Sequence, residues 1–448
     1  MSRVFLISAN LTTAPYPVYP LGMAVVAAAL KAAGHDVMQA DLLQAGARFR
    51  DIQLALEERP PDYVGISLRN LDNVDSFTSA QEWYLDGITL LIQQIRATCG
   101  APIILGGPGF SLMPEDILDY TGADYGVAGE GEQACCDLLN ALNAGRNPGR
   151  IVGGSRTPLG GDQIHSPLWE KNLVDFYLAR SGMANIQTKR GCPCNCIYCS
   201  YPKIEGVEHR RRDPRAVVDD IERLQRDFGV AAVFWADGVV NDLDGHYLEV
   251  AGEMLRRETR LTWYGFFRPT GLGRDELETL KRSGLRAMEL GTDGATDDTL
   301  EGLGKSFSFE DVLAFHQACV QLEIPVAHYV IFGGPSETPA TVSTGLKNLE
   351  RLDRSVIFAF SGIRVHPGTG LHELAIQQGM LSPSASLLRP VFYVSPAIEK
   401  ERMDAAIRSA FRSRRNSFFP PSEGLLRLAV MNRFGYKGLL WDKLIAFD

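Results

Sequence analysis

The chain has 448 residues, 45% hydrophobic and 22% charged, with a formal net charge of −9. That length accommodates two or three domains with cores of their own, and the acidic balance argues against a general nucleic-acid binder, which would carry a basic face. No apolar run approaches the roughly 20 residues of a membrane span, and Met1–Asn10 lacks the regions of a signal peptide, so a cytoplasmic protein is expected.

Residues 1–148 alternate between strand and helix patterns. Val4–Ala9, Val37–Ala40, Tyr63–Ser67, Pro102–Leu105 and Asp124–Ala128 are short apolar runs that predict strands. Leu21–Ala33, closed by Gly34, and Trp83–Thr98 and Glu132–Asn143 predict helices between them. Such alternation implies a doubly wound parallel sheet covered on both faces, with ligands beyond the carboxyl ends of its strands. Residues 149–182 are predicted as a linker, since Gly145–Glu170 is rich in Gly, Pro, Arg and Ser.

A second βα series fills 183–390. Its predicted strands are Asn185–Thr188, Ala231–Ala236, Leu261–Phe267, Arg286–Leu290, Val326–Phe332 and Phe358–Val365, with helices such as Pro214–Phe228 and Asp275–Ser283 between them. Six units predict a partial (β/α)6 barrel with its functional loops at the strands' carboxyl ends. Residues 391–448 turn helical and end in an amphipathic stretch, Gly424–Ile445.

Of eight cysteines, Cys99, Cys135, Cys136 and Cys319 lie apart and read as small buried hydrophobes. The other four crowd into Arg190-Gly-Cys-Pro-Cys-Asn-Cys-Ile-Tyr-Cys199, directly after a predicted strand. Thiolates are the soft ligands of iron–sulfur clusters, and Cys192, Cys196 and Cys199 would leave one iron of a [4Fe–4S] cluster open for chemistry. The rival is a structural zinc loop with Cys194 as fourth ligand. It lacks the second, separated pair of ligands that such sites usually draw on. On the iron–sulfur reading Cys194 is an exposed bystander.

This spacing, with Tyr198 before the last cysteine, resembles the radical S-adenosylmethionine superfamily. Later segments carry the resemblance on in order: Phe234-Trp-Ala-Asp-Gly238, Phe267-Arg-Pro269, Leu290-Gly-Thr-Asp-Gly294, Ile331-Phe-Gly-Gly-Pro-Ser-Glu-Thr338 and His366-Pro-Gly-Thr369. It covers roughly Ile186 to Pro396 and implies S-adenosylmethionine on the open iron, cleaved to a 5′-deoxyadenosyl radical. By resemblance Asp237 would meet the methionine amino end, Tyr198, Arg268 and Asp293 would border the cofactor, and the backbone at Phe332 and Gly334 would line the adenine.

The front part resembles the cobalamin-binding domain that precedes many such barrels, through Tyr19-Pro-Leu-Gly22, Val64-Gly-Ile-Ser-Leu68, Leu105-Gly-Gly-Pro108 and Gly129-Glu-Gly-Glu132. Glycines at strand ends let backbone approach a large flat ligand. The resemblance assigns Ser67, Leu68, Arg69, Asn70, Gly106, Gly107, Gly129, Glu130 and Gly131 to cobalamin. It departs from the cobalamin domains of mutases, because Ser8–Leu21 contains no histidine to ligate cobalt. Leu68, Arg69 or Asn70 should then approach the metal's lower face.

Together these resemblances imply a cobalamin-dependent radical S-adenosylmethionine enzyme that methylates an unactivated carbon. A cyclase, ring-contracting or oxidising enzyme of the same architecture is the alternative. The expected partners are a small-molecule or lipid substrate and an electron donor such as flavodoxin or ferredoxin. Tyr393, His328 and His366 are candidate substrate contacts, with core or turn roles as the plainer alternative.

Overall fold

The computed structural model describes residues 1–13, 15–46, 48–78, 81–153 and 158–445. Residues 154–157 of the predicted linker and 446–448 at the C-terminus lie outside the described residues.

The first sheet is wholly parallel. Its strands are β1 (Arg3–Ser8), β2 (Asp36–Asp41), β3 (Tyr63–Ser67), β4 (Ile103–Gly106), β5 (Tyr125–Ala128) and β6 (Ile151–Gly153), in the order β2-β1-β3-β4-β5-β6. Its central strands are short apolar runs, as burial on both faces demands. The order reverses between β1 and β3, which opens a crevice beyond their carboxyl ends. The sixth strand falls inside the predicted linker, where three residues in a Gly- and Arg-rich context carry no visible period.

The second sheet contains β7 (Ala184–Ile186), β8 (Ala232–Trp235), β9 (Thr262–Phe267), β10 (Leu285–Asp293), β11 (Val326–Phe332), β12 (Val356–Ser361) and β13 (Ser417–Phe418), in the order β13-β12-β11-β10-β9-β8-β7. This is an open parallel arc rather than a closed barrel. The helix Pro214–Phe228 shows how its outer layer is specified. Asp213 accepts from the Arg215 N–H, Pro214 opens the first turn, and Gly229 closes the last in the left-handed conformation. Val217, Val218, Ile221 and Leu224 then bury one stripe against the sheet.

Two expectations need correction. The predicted strand Phe358–Val365 is broken at Gly362, whose φ is +75° and whose Cβ position would lie 3.1 Å from the Tyr393 carbonyl, so Ile363–Arg364 pairs instead with Phe392–Tyr393. The stretch Gly424–Ile445 is two helices, Ser422–Arg433 and Trp441–Ile445, parted by Gly435 and Gly438, both at positive φ. Leu428, Trp441 and Leu444 of these helices, with Leu440 just before the second, pack against Ala232, Tyr264, Ala287 and Phe358 of the arc. No described helix is long and apolar enough to cross a membrane.

The two sheets are fastened by buried polar contacts. Arg364 pairs with Asp72 at 2.9 Å, both side chains almost fully buried. Arg190 bridges Glu130 (2.9 Å) and Glu132 (2.6 Å), and the Trp83 indole N–H donates to the Leu388 carbonyl (2.9 Å).

Candidate functional site

The cysteine loop leaves the carboxyl end of β7 and is held by backbone on three sides. Cys192 N–H donates to the Gly206 carbonyl (3.1 Å), Ile197 N–H to Leu303 (3.1 Å) and Leu371 N–H to Ile197 (2.8 Å). Gly304 sits at φ +74° with its Cβ position 2.4 Å from the Asn195 carbonyl, so only glycine permits this approach. Burial pushes the thiols of Cys196 and Cys199 up, Cys199 to about 11, in a loop that gathers four sulfurs without a disulfide. A bound metal reverses that cost, because a coordinating thiol gives up its proton. Three soft donors in one loop at a strand end fit an iron–sulfur cluster. Cys194 is half-buried rather than exposed, and the neighbouring Cys192 thiol lowers its pKa.

Beside the loop, the Tyr198 hydroxyl donates to Asp293 Oδ2 at 2.8 Å. Asp293 ends β10 with φ +59°, after a register shift between Gly291 and Asp293. A non-glycine residue held there stores strain, a frequent mark of a working site. Lys305, which the sequence reading missed, completes the group. Its Nζ donates to Cys196 Sγ (3.2 Å) and Tyr198 Oη (3.1 Å) and pairs with the Asp293 carboxylate. Burial works against this ammonium, but Asp293, Tyr198 and Cys196 together outweigh it and raise its pKa. Arg268, half-buried at the end of β9, donates to Ser306 Oγ (3.0 Å), and its charge acts on Cys194. Cationic donors beside the cysteines are what a carboxylate on an open iron would meet.

Other predicted residues sit differently. Asp237 accepts from Thr188 N–H (2.7 Å), Thr188 Oγ1 (2.5 Å) and Lys189, so both oxygens are spent fixing the start of the cysteine loop rather than facing a ligand. Phe332 turns its ring into the core with Ala295 and Met403, and its carbonyl accepts from Gly362 N–H. Gly334 lies against Leu303 and Ile363, with its Cβ position 3.3 Å from each.

At the first sheet, Leu68 N–H donates to the Gly106 carbonyl (2.8 Å) and its own carbonyl accepts from Gly109 N–H (2.9 Å). Gly107, at φ +95°, is pressed to within 2.6 Å of the Leu68 carbonyl at its Cβ position. Ser67, half-buried, ends β3 just ahead of this turn. Leu68 itself is turned into the core, unlike Arg69 and Asn70, which line an open cavity. The Gly129 N–H is held by Ser111 Oγ (2.8 Å), and Gly131 packs on Val26. Between them Glu130 accepts from Arg190, Arg210 and Leu159 N–H, so its carboxylate is a clamp on the cysteine loop rather than a free ligand.

Between the two sheets lies a cavity of about 420 Å³. Arg69, Asn70 and Pro108 line it from the first sheet, and Ser200, Tyr329, Phe358 and Phe360 from the second. Arg69 is the telling group: half-buried, with no ion pair or side-chain hydrogen bond among the described residues, and with Tyr16, Tyr177 and Tyr84 around it. A guanidinium is never a metal ligand, and this one opens onto the cavity, where its charge is available to a ligand. A large cofactor between the sheets fits that opening. Of the candidate substrate contacts only His366 reaches the cavity, its pKa pushed down to about 4 by burial and then by Arg364. His328 faces outward to Thr292 and His316, and the Tyr393 hydroxyl donates to Gln378.

Comparison with known proteins agrees with this division. Residues 7–139 match the model of the B12 binding domain and residues 186–345 that of the Radical SAM superfamily. The chain is 25% identical to tryptophan 2-C-methyltransferase of Streptomyces laurentii, over 86% of this chain and 78% of that one. It is 27% identical to the anaerobic magnesium-protoporphyrin IX monomethyl ester cyclase of Rubrivivax gelatinosus, over 54% of this chain and 48% of that one. Its fold is similar to that of the radical S-adenosylmethionine methyltransferase TsrM from Kitasatospora setae, solved with cobalamin and a [4Fe–4S] cluster, at 24% identity and a TM-score of 0.86 over 99% of this chain and 97% of that one. A second structure of that enzyme, with tryptophan and a S-adenosylmethionine analogue bound, gives a TM-score of 0.85 at 25% identity, over 99% of this chain and 97% of that one.

Proposed function

This chain belongs to the cobalamin-dependent radical S-adenosylmethionine enzymes, and from that premise we infer that it transfers a methyl group to an unactivated carbon of a small molecule. The carrying observation is the single cavity onto which Arg69 and Asn70 open from one sheet and Ser200, next to Cys199, from the other. When bound, the cluster and S-adenosylmethionine supply the radical and cobalamin the methyl group.

The chain's own residues bind and orient. Cys192, Cys196 and Cys199 hold the cluster. Lys305 and Arg268 receive the carboxylate of S-adenosylmethionine, and Asp293, fixed by Tyr198 and Lys305, accepts hydrogen bonds from its hydroxyls. On the cobalamin side Gly106, Gly107, Gly129 and Gly131 would admit a flat ring, Ser67 would reach its tail, and Arg69, which cannot ligate a metal, would stand beside it. Excluding water from the cavity preserves the reactive species. The proposed division of the chain is 1–148, 149–182, 183–390 and 391–448, and a flavodoxin or ferredoxin is the proposed electron donor.

The test is isotopic. Reconstituted enzyme with methyl-deuterated S-adenosylmethionine and cell extract should yield S-adenosylhomocysteine, 5′-deoxyadenosine and one metabolite heavier by a labelled methyl group. The cyclase reading, favoured by the Rubrivivax relative, would give 5′-deoxyadenosine and an altered metabolite without label.

A further inference from the structure

Behind the arc, on the side away from the cavity, a line of buried polar side chains runs from the surface to the end of β10. Gly291 pairs with Tyr329 of β11 and Asp293 with Val330, so Thr292 between them is an extra residue with no partner on that strand. A bulge of this kind re-aims the side chain beside it, and here that side chain is Asp293. The Thr292 carbonyl accepts from Gly294 N–H (2.7 Å), which draws the backbone tight around Asp293 at its φ of +59°.

The Thr292 hydroxyl is held in turn. It bonds to His328 Nδ1 at 2.8 Å, and His328 Nε2 bonds to His316 Nδ1, on the helix Phe309–Gln321, at 3.2 Å. Beyond them Asp353, exposed at the surface, stands 3.5 Å from His316 Nε2. Thr292, His328 and His316 are fully buried. Burial pushes the pKa of both imidazoles down, so near pH 7 each is neutral and carries one proton. A carboxylate only accepts. Asp353 therefore calls the His316 proton to Nε2, which leaves Nδ1 to accept from His328 Nε2–H and His328 Nδ1 to accept from the Thr292 hydroxyl. The bonds all run one way, toward the surface, and the Thr292 side chain has one place to point.

We propose that Thr292, His328 and His316 are positioning residues that lock this bulge and so hold Asp293 toward Tyr198 and Lys305, ready for S-adenosylmethionine. The inference rests on the reading of Asp293 as part of that cofactor's site. A strained backbone persists only where its surroundings over-determine it. Tyr198 and Lys305 hold the Asp293 carboxylate and not its backbone, so the backbone must be fixed from behind the strand. A satisfied buried network does this, because it rigidifies what it joins. Histidines that merely filled the core would not need their bond to fall on the bulged residue.

Thr292→Val keeps the shape and removes the hydroxyl, and Thr292→Ser restores it. In anaerobic calorimetry of the cluster-loaded proteins, S-adenosylmethionine should bind Thr292→Val about five-fold more weakly, the worth of one buried hydrogen bond, and Thr292→Ser within about two-fold of wild type. On the same proteins, hydrogen exchange across Leu290–Gly294 should quicken in Thr292→Val and not in Thr292→Ser. His328→Leu should match Thr292→Val, and the double variant should bind no more weakly than either, since both remove one bond. His328→Asn, whose Oδ1 stands in for Nδ1, should recover part of the loss. The His328 pair carries the comparison should Thr292→Val not fold. Wild-type affinity and exchange in Thr292→Val overturn the proposal. So does an equal loss in Thr292→Val and Thr292→Ser, since packing rather than the hydroxyl would then hold the strand. Quickened exchange with unchanged affinity would leave the lock in place and sink the cofactor role of Asp293 instead.

Discussion

Lys305 ties a cysteine, a tyrosine and an aspartate into one buried group. Removing its charge leaves Asp293 with only the Tyr198 hydroxyl, and stranding one member of a buried pair costs about 3–5 kcal/mol. Lys305→Met should still bind iron and sulfide, because all three cysteines remain, but its affinity for S-adenosylmethionine should fall at least ten-fold. Iron assay and calorimetry read the two effects separately, and an unchanged affinity would take Lys305 out of the cofactor site. Tyr198 and Asp293 were singled out from the sequence, one in the cysteine loop and one at a strand's end, and the structure brings the pair together. Lys305 was not, since it follows a glycine turn with no strand behind it. A strand-end position likewise does not say whether a carboxylate such as Asp237 turns toward a ligand or back onto Thr188.

At the scale of elements, parallel strands were easy to read and short ones were not. Tyr63–Ser67 and Val326–Phe332 match their predicted bounds, because runs buried on both faces stay apolar throughout. The strands Ile151–Gly153 and Ser417–Phe418 escaped because two or three residues show no period. The turn after β4 carries the prediction at this scale. Gly107 combines a left-handed φ with backbone contact to Leu68, so alanine there must distort the turn that aims Arg69 at the cavity. Gly107→Ala should cost about 1–2 kcal/mol from handedness alone, with the clash in addition. It should also lose cobalamin on gel filtration, seen as falling corrin absorbance. A variant that melts lower yet keeps its cobalamin would show that the turn serves only the fold.

Across the whole molecule, the Asp72–Arg364 pair is the deepest bond between the sheets. Asp72→Ala should destabilise by about 3–5 kcal/mol, since it strands a buried guanidinium. The double variant Asp72→Leu with Arg364→Met should recover much of that loss in chemical denaturation. Additive losses would mean that the two charges are not coupled. The other fastening, Arg190 onto Glu130 and Glu132, bears on how the enzyme is made. Glu130 lies 60 positions ahead of Arg190 and leaves the ribosome first, within a part of the chain that can fold before the rest is synthesised. When the four cysteines emerge just after Arg190, their anchor is already in place. The loop is completed only once Leu303 and Leu371, its other backbone partners, have followed. A barrel expressed without the front half is born with its thiols unanchored, free to oxidise before iron arrives.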